Sequence, residues 1–304
     1  CGVNGDIFTY MTEKEGIPFM DAVESLAAKN NIPFSRDEEN KGTSRRVLME
    51  IANLVYKAFK SQFNALPLDH PAKRNISDRS IEPDNEHNHD LFGWAGSDDT
   101  LIVKALNSKG YTNDQLIEAG VARNDRNGTC RMAWRNRLMF VIKDMAGRPV
   151  GFTGRLVYKD SKDQRKYVNS PESAIFHKSN VMFCEDIAKT KAAKDSLVYV
   201  VEGQFDAIAL QHIGLTNVVA SSGTALTDKH ADMLKRMVGG EGRIVFAFDS
   251  DDAGQKAAIR TFKAVPPVQL ISYASITHGD KDASDMYRDD PESLHRQLTT
   301  MKPL

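Results

Sequence analysis

Three short apolar runs in the second half of the chain each lead to acidic residues, and this pattern restricts the fold more than any other feature. Leu197-Val198-Tyr199-Val200-Val201 passes directly into Glu202-Gly203-Gln204-Phe205-Asp206. Arg243-Ile244-Val245-Phe246-Ala247-Phe248 passes into Asp249-Ser250-Asp251-Asp252-Ala253-Gly254. Val268-Gln269-Leu270-Ile271-Ser272-Tyr273 leads a few residues later to Lys281-Asp282-Ala283-Ser284-Asp285. Each run reads as a buried strand. Helices are expected at Gln204 to Ile213, Thr227 to Val238 and Ala253 to Ala264, with a further strand from Asn217 to Ala220. Such alternation with short connections implies parallel strands and right-handed crossovers. The carboxyl ends of parallel strands share one rim, where open α/β sheets bind ligands. Carboxylates gathered there repel each other unless a hard cation sits among them. The chain is therefore expected to hold a divalent metal.

Helix capping alone explains less of the pattern. A capping Asp contributes about 1 kcal/mol, but one acid per helix is enough for it. Glu202 closes a strand and Asp206 follows one helical turn later, so both carboxylates can face one side, with Gly203 permitting a tight turn between them. Asp249 and Asp251 are two apart on a loop and can address one ion, and Gly254 frees the backbone where the next helix begins. An EF-hand is excluded because the loop starting at Asp249 has Ala253 and Arg260 where ligands are required. No Gly-x-x-x-x-Gly-Lys-Ser/Thr cradle occurs either.

Overall charge says nothing about a partner, since 40 Lys and Arg stand against 41 Asp and Glu in 304 residues. Its distribution does. Between Arg131 and Lys178 there are eleven basic residues and four acids (Asp144, Asp160, Asp163, Glu172). A basic segment beside an acidic metal site suits a polyanion that carries the metal with it. No apolar run reaches the ~20 residues of a membrane span. Cys1, Cys130 and Cys184 are few and widely spaced, which favours a reducing cytoplasm over a disulfide framework.

Upstream, Ile7 to Met11 and the Phe19, Ala22, Val23, Leu26, Ala27 series predict two helices, and Leu48, Ile51, Val55, Phe59 and Phe63 predict a third from Arg45 to Phe63. Residues 34–45 read as a linker or exposed loop. Residues 64–100 read as polar loop: His87 and His89, with His70 and Asp90 nearby, lack the spacing of a metal site. Short helices are expected from Thr100 to Asn107 and Thr112 to Ala119, and the last residues, Pro291 to Met301, as one more. A hairpin joins Leu138–Ile142 to Val150–Phe152, with Arg135 and Arg137 at its entrance and Arg155 at its exit.

Glu202-Gly203-x-x-Asp206 followed by Asp249-x-Asp251 resembles the Toprim domain of primases, topoisomerases and some nucleases. Arg135-Asn136-Arg137-Leu138-Met139-Phe140, Gly151-Phe152-Thr153-Gly154-Arg155 and Lys166-Tyr167-Val168-Asn169-Ser170-Pro171-Glu172 resemble, in order, the RNA-polymerase domain of DnaG-type primases. So do Ile175-Phe176-His177-Lys178 and Ala220-Ser221-Ser222-Gly223-Thr224. The resemblance implies an α/β fold with a Toprim-type parallel sheet carrying helices on both faces, preceded by a basic mixed α+β subdomain. It divides the chain into 1–36, a zinc-ribbon exit with linker helices; 37–190, the basic subdomain; 191–290, the metal-binding Toprim subdomain; and 291–304, the start of a helical region.

The activity implied is DNA-templated synthesis of short RNA primers by two-metal nucleotidyl transfer with Mg²⁺ or Mn²⁺. Asp249, Asp251 and Asp282 would be metal ligands, and Glu202 a ligand or general base. Gly203, Asp206, Gly254 and Asp285 would support them. Arg135, Arg137, Arg155, Lys166, Asn169 and Lys178 would hold template phosphates or the incoming nucleotide. Implied partners are single-stranded DNA, ribonucleoside triphosphates and a replicative helicase, with no membrane, in a bacterial or phage-infected cytoplasm. Zinc is expected only in an N-terminal ribbon, of which Cys1 resembles the last ligand. Where many relatives carry Asp-Pro-Asp, this chain has Asp282-Ala283-Ser284-Asp285, so Ser284 takes the second acid's usual place. A DNA-cleaving Toprim enzyme and a non-catalytic DNA-binding module are the alternative readings.

Overall fold

The structure is a computed structural model that describes residues 5–14, 19–30, 32, 42–83, 90–158, 163–239, 242–248, 270–273, 282–299 and 302–303. Helices α1 (Ile7–Lys14) and α2 (Phe19–Lys29) pack on each other through Met11 and Ala22. An Asp21–Arg45 ion pair of 3.1 Å ties α2 to α3 (Arg45–Asn64). The apolar positions of α3 recur every three or four residues, and Leu48, Ile51, Ala52, Val55, Phe59 and Phe63 are all buried.

The polar stretch read as loop contains two ordered elements, which corrects that expectation. Helix α4 (Pro71–Ser77) starts at His70, whose Nδ1 accepts the Ala72 N–H at 3.1 Å. Strand β1 (Phe92–Ala95) is buried at every residue. Its Gly93 allows α3 to approach closely, because a Cβ there would lie 2.7 Å from the Cβ of Phe59. Asp90 accepts a 3.2 Å bond from the Tyr56 hydroxyl and pairs with Lys60. His87 and His89 lie outside the described residues.

Helices α5 (Leu101–Asn107) and α6 (Asn113–Glu118) precede a small ribbon of β2 (Ala122–Asn124) and β3 (Cys130–Met132). Thr112 caps α6 with a reciprocal bond to Gln115. Strands β4 (Arg137–Lys143), β5 (Pro149–Leu156) and β6 (Tyr167–Asn169) complete an antiparallel sheet of order β1-β4-β5-β6. Helix α3 lies on it, with Phe59 edge-on to Trp134 at 6.1 Å and to Phe152 at 5.5 Å.

After α7 (Glu185–Asp195) come β7 (Leu197–Val201), α8 (Gln204–His212), β8 (Val218–Ala220), α9 (Asp228–Val238), β9 (Arg243–Phe246) and β10 (Leu270–Tyr273). Then follow α10 (Ala283–Asp289), α11 (Pro291–Thr299) and β11 (Lys302–Pro303). The second sheet has the order β11-β10-β9-β7-β8, parallel except at β11. Helices α7 and α9 bury Ala188, Ala192, Leu234 and Met237 against one face. Helices α8, α10 and α11 bury Ile208, Leu210, Met286 and Leu294 in the core on the other. Val198, Val200, Ile244 and Phe246 point to the first face while Tyr199, Val201 and Val245 point to the second, as strand alternation requires.

That second core is shared between the sheets. Phe92 and Phe140 of the antiparallel sheet join Phe205, Tyr199 and Val201 in one cluster. Phe205 stands perpendicular to Phe140 with ring centroids 5.2 Å apart. Losing a buried ring of this kind costs about 3–5 kcal/mol, so the contact fixes how the two sheets meet. Cys130 and Cys184 are buried free thiols, and burial raises the pKa of both.

Candidate active site

Glu202 leaves the end of β7 half-buried, and its carbonyl accepts the Ser221 hydroxyl at 3.5 Å. Asp206, in the first turn of α8, has both carboxylate oxygens engaged. Oδ2 accepts the Gly203 N–H at 3.1 Å and Oδ1 accepts the Ser284 N–H at 3.2 Å. One buried carboxylate thus fastens the start of α8 to the start of α10. Gly203 is tight against it: a Cβ there would lie 2.6 Å from Asp206 Oδ2.

Asp282 caps α10, its Oδ1 accepting the Asp285 N–H at 2.7 Å. Ser284 is buried, and its hydroxyl has no partner among the described residues. Asp285 faces outward and pairs with Arg288 at 3.2 Å. Asp249, Asp251 and Gly254 lie outside the described residues. Among the described residues, no three His, Cys, Asp or Glu side chains converge as a metal cluster.

The basic candidates divide into different environments. Arg137 is only 3 % exposed. Its guanidinium donates to the carbonyls of Arg165 (2.8 Å) and Gly154 (3.2 Å) and pairs with Asp163 at 3.1 Å. Burial lowers the pKa of Arg137, while Asp163, held mainly by Arg165, is shifted far below the usual carboxylate range. Arg137 therefore anchors the segment around residues 163–165 to the sheet. Arg135 is exposed beside it, on a cleft of about 590 Å³ lined by Asp99, Arg123, Trp134, Arg135, Arg137 and Asp163. Lys166 is exposed, whereas Lys178 is half-buried, its N–H donating to Glu172 at 3.1 Å. Asn169 accepts the Thr153 hydroxyl at 2.8 Å.

Arg155 leads to the acidic rim. Its guanidinium lies 5.1 Å from the Tyr167 ring centre and 5.2 Å from that of Phe205, inside the Glu202–Asp206 turn. Nε donates to Asn75 Oδ1 at 2.9 Å, and a second nitrogen donates to the Tyr167 hydroxyl. Arg79, which the sequence reading missed, occupies the same ring from the α4 side at 4.3 Å. Asp282 and Asp285 are near enough to act on its charge. Asn75, Tyr167 and Phe205 were missed as well. No local pattern marked them: Arg79 lies beyond the end of α4, where helical spacing no longer applies.

A parallel sheet with acids at its carboxyl rim, joined through a common core to an antiparallel sheet carrying Arg135 and Arg155, defines a Toprim-type α/β unit with a basic partner. Residues 59–189 match the family described as DNA primase catalytic core, N-terminal domain, and residues 199–287 match the Toprim-like family. A DNA primase of Deinococcus radiodurans is 35 % identical over 286 residues, covering 94 % of this chain and 48 % of that protein. The crystal structure of the RNA polymerase domain of Mycobacterium tuberculosis primase DnaG superposes with a TM-score of 0.77 at 30 % identity. It covers 86 % of this chain and 85 % of that one. The same domain in complex with double-stranded DNA gives 0.76 at 32 % identity, covering 86 % and 82 %.

The chain belongs to the DnaG primase family and corresponds to its RNA polymerase domain. It spans about half the length of the curated relatives it matches. Among the described residues, no helix is long and apolar enough to cross a membrane.

Proposed function

We propose that this chain is a primase catalytic core, copying single-stranded DNA into short RNA from ribonucleoside triphosphates. The observation that carries the reading is the meeting of opposite charges at Phe205, where Arg155 reaches a turn bounded by Glu202 and Asp206. The donor set fits a divalent cation. Rim groups Glu202 and Asp282 offer carboxylate oxygens, the donors preferred by Mg²⁺ and Mn²⁺. Glu202, Asp282, Asp249 and Asp251 would hold the ions, which when bound would polarise the primer hydroxyl and the triphosphate.

The protein's own groups do the rest. Glu202 would serve either as one of those ligands or as the general base that accepts the primer 3′-hydroxyl proton. Asp206, with both oxygens occupied, keeps Glu202 and Asp282 in fixed relation instead of coordinating. Asp285, paired with Arg288, is a supporting charge, as is Gly203 a supporting turn. Arg135, Lys166 and Lys178 would contact template phosphates, and Arg155 and Asn169 the incoming nucleotide. Arg137 acts by holding its strap. The division near residue 190 separates the template-facing part from the metal-binding part. Such a core works in a bacterial or phage-infected cytoplasm beside a replicative helicase, with zinc confined to a preceding ribbon.

The test is direct: incubate the chain with single-stranded template, ribonucleotides and Mg²⁺ or Mn²⁺, and resolve the RNA on a gel. Short RNA from the wild type and none from a folded Asp249→Ala variant is the expected result. Equal product from both would overturn the assigned site, and nicked DNA would replace the reading with a cleaving enzyme.

A further inference from the structure

His230 lies in the first turn of α9 with no exposed surface, on a helix whose other buried residues, Ala231, Met233, Leu234, Met237 and Val238, are all apolar. It stands where a reciprocal cap usually has Glu or Gln. Its Nδ1 accepts the Thr227 N–H at 3.3 Å, and the Thr227 hydroxyl oxygen accepts the His230 N–H at 3.3 Å. An accepting Nδ1 puts the proton of the neutral ring on Nε2. Burial lowers the pKa of the ring, which keeps it neutral. Nε2 is buried and completes no hydrogen bond among the described residues. The acceptors near enough to act on the ring are the carbonyls of Lys178 and Val181, which oppose the effect of burial.

The segment carrying Lys178 is gripped from two sides. Glu172 accepts the Lys178 N–H at 3.1 Å and pairs with His177 Nδ1 at 3.0 Å. From α9, the Thr227 hydroxyl donates to the Ser179 carbonyl at 2.8 Å, and the two carbonyls that act on His230 flank that one. Just beyond, Phe183 exchanges backbone bonds of 2.9 and 3.0 Å with Ala220 at the end of β8. Ala220-Ser221-Ser222-Gly223-Thr224 then carries the chain from β8 to the Thr227 cap. Both peptide units that flank the Lys178 Cα therefore have a side chain against them, Glu172 at the N–H and His230 at the carbonyl. A lysine is a point charge on a flexible four-carbon stem, so the backbone at its root decides where it reaches.

We propose that His230 is a positioning residue for Lys178: with Thr227 it holds the 178–181 turn from the parallel unit, so that the Lys178 ammonium meets a template phosphate. This deepens the template role given to Lys178 and rests on it. A histidine that only capped α9 and filled its core would be felt in stability alone. A positioning histidine is also felt in DNA binding, through Lys178 and not beyond it.

Binding of a single-stranded oligodeoxynucleotide to the full chain, titrated over a range of salt with thermal melting alongside, tests this. Lys178→Ala removes one phosphate contact and should make the salt slope shallower by about one unit. His230→Leu keeps apolar bulk but neither accepts nor donates. It should move the slope the same way, by up to about one unit. The double variant should bind no more weakly than Lys178→Ala, because both changes act through one contact. His230→Gln can complete the cap and still donate, and should restore the wild-type slope. In primer synthesis, His230→Leu should raise the template KM with little change in kcat. Losses that add in the double variant, or a wild-type slope in folded His230→Leu, would reduce His230 to a helix cap and overturn the proposal. A wild-type slope in Lys178→Ala would overturn it together with the template role of Lys178. Coupled losses in a protein that makes no RNA would uphold the positioning and refute the polymerase reading. Should His230→Leu fail to fold, Thr227→Val, which removes the bond to Ser179, decides through the same cycle.

Discussion

On the antiparallel sheet and its loops, arginines lie against nearby carboxylates. Arg131 pairs with Asp99 and Asp125, Arg137 and Arg165 with Asp163, and Arg148 with Asp144. On the parallel sheet, Glu202 and Asp282 stand at a rim that a single buried carboxylate, Asp206, holds together from behind. The first region neutralises much of its formal charge, whereas the second gathers like charges. Four of the eleven basic residues between 131 and 178 are thus committed to local structure. Arg135 and Lys166, by contrast, are exposed, and Arg155 lies at the rim.

The contrast breaks most readily at the rim. Glu202→Gln keeps the shape and removes the charge, so nucleotidyl transfer should fall by at least about 10²-fold. Its melting temperature should not decrease; a variant that retained full activity would remove Glu202 from the site. On the other sheet the expectation reverses. Arg137→Ala strands the carbonyls of Gly154 and Arg165 and should cost about 2–3 kcal/mol in a urea titration. An unchanged midpoint would show that Arg137 is free to serve a ligand instead.

Asp206→Asn can accept from Gly203 or Ser284 but not from both. It should lose about 1 kcal/mol and about 10–100-fold in activity through displacement of Asp282. Glu185 tests the same contrast through pH. It is buried, accepts the Met182 N–H at 2.8 Å, and burial raises its pKa well above 4.5. The folded state therefore holds a proton that the unfolded chain releases. Its contribution is complete below pH 4.5 and declines as pH rises toward the folded value, by up to about 1.4 kcal/mol per pH unit. Glu185→Gln should flatten stability over that window; identical pH profiles would refute the assignment. The smallest effect belongs to Arg135→Ala: no change in stability, and a salt slope of DNA binding shallower by about one unit.

The parallel unit was legible because its strands are unbroken apolar runs, each ending in a residue that cannot continue a buried strand. The hairpin was legible for the same reason. β1 was not, since Phe92-Gly93-Trp94-Ala95 is short and contains a glycine whose purpose appears only when α3 lies on it. α4 was hidden by composition: Pro71-Ala72-Lys73-Arg74-Asn75-Ile76-Ser77 carries few apolar positions, and its burial comes from the core around Phe92. At the rim, the position of Glu202 was readable because it directly follows a strand, which is a local feature. The environments of Arg79, Arg137 and Arg155 depend on residues far away in sequence, and no local pattern distinguishes an anchoring arginine from a binding one.

The bond from Ser284 to Asp206 joins residues 78 positions apart. At ribosomal rates of about 5–20 residues per second, that separation is roughly 4–16 s of synthesis. During that interval the antiparallel sheet, already complete at Asn169, can fold while Ser284, the partner of Asp206, does not yet exist. A nascent chain therefore completes the arginine-bearing antiparallel sheet before the starts of α8 and α10 are fastened together.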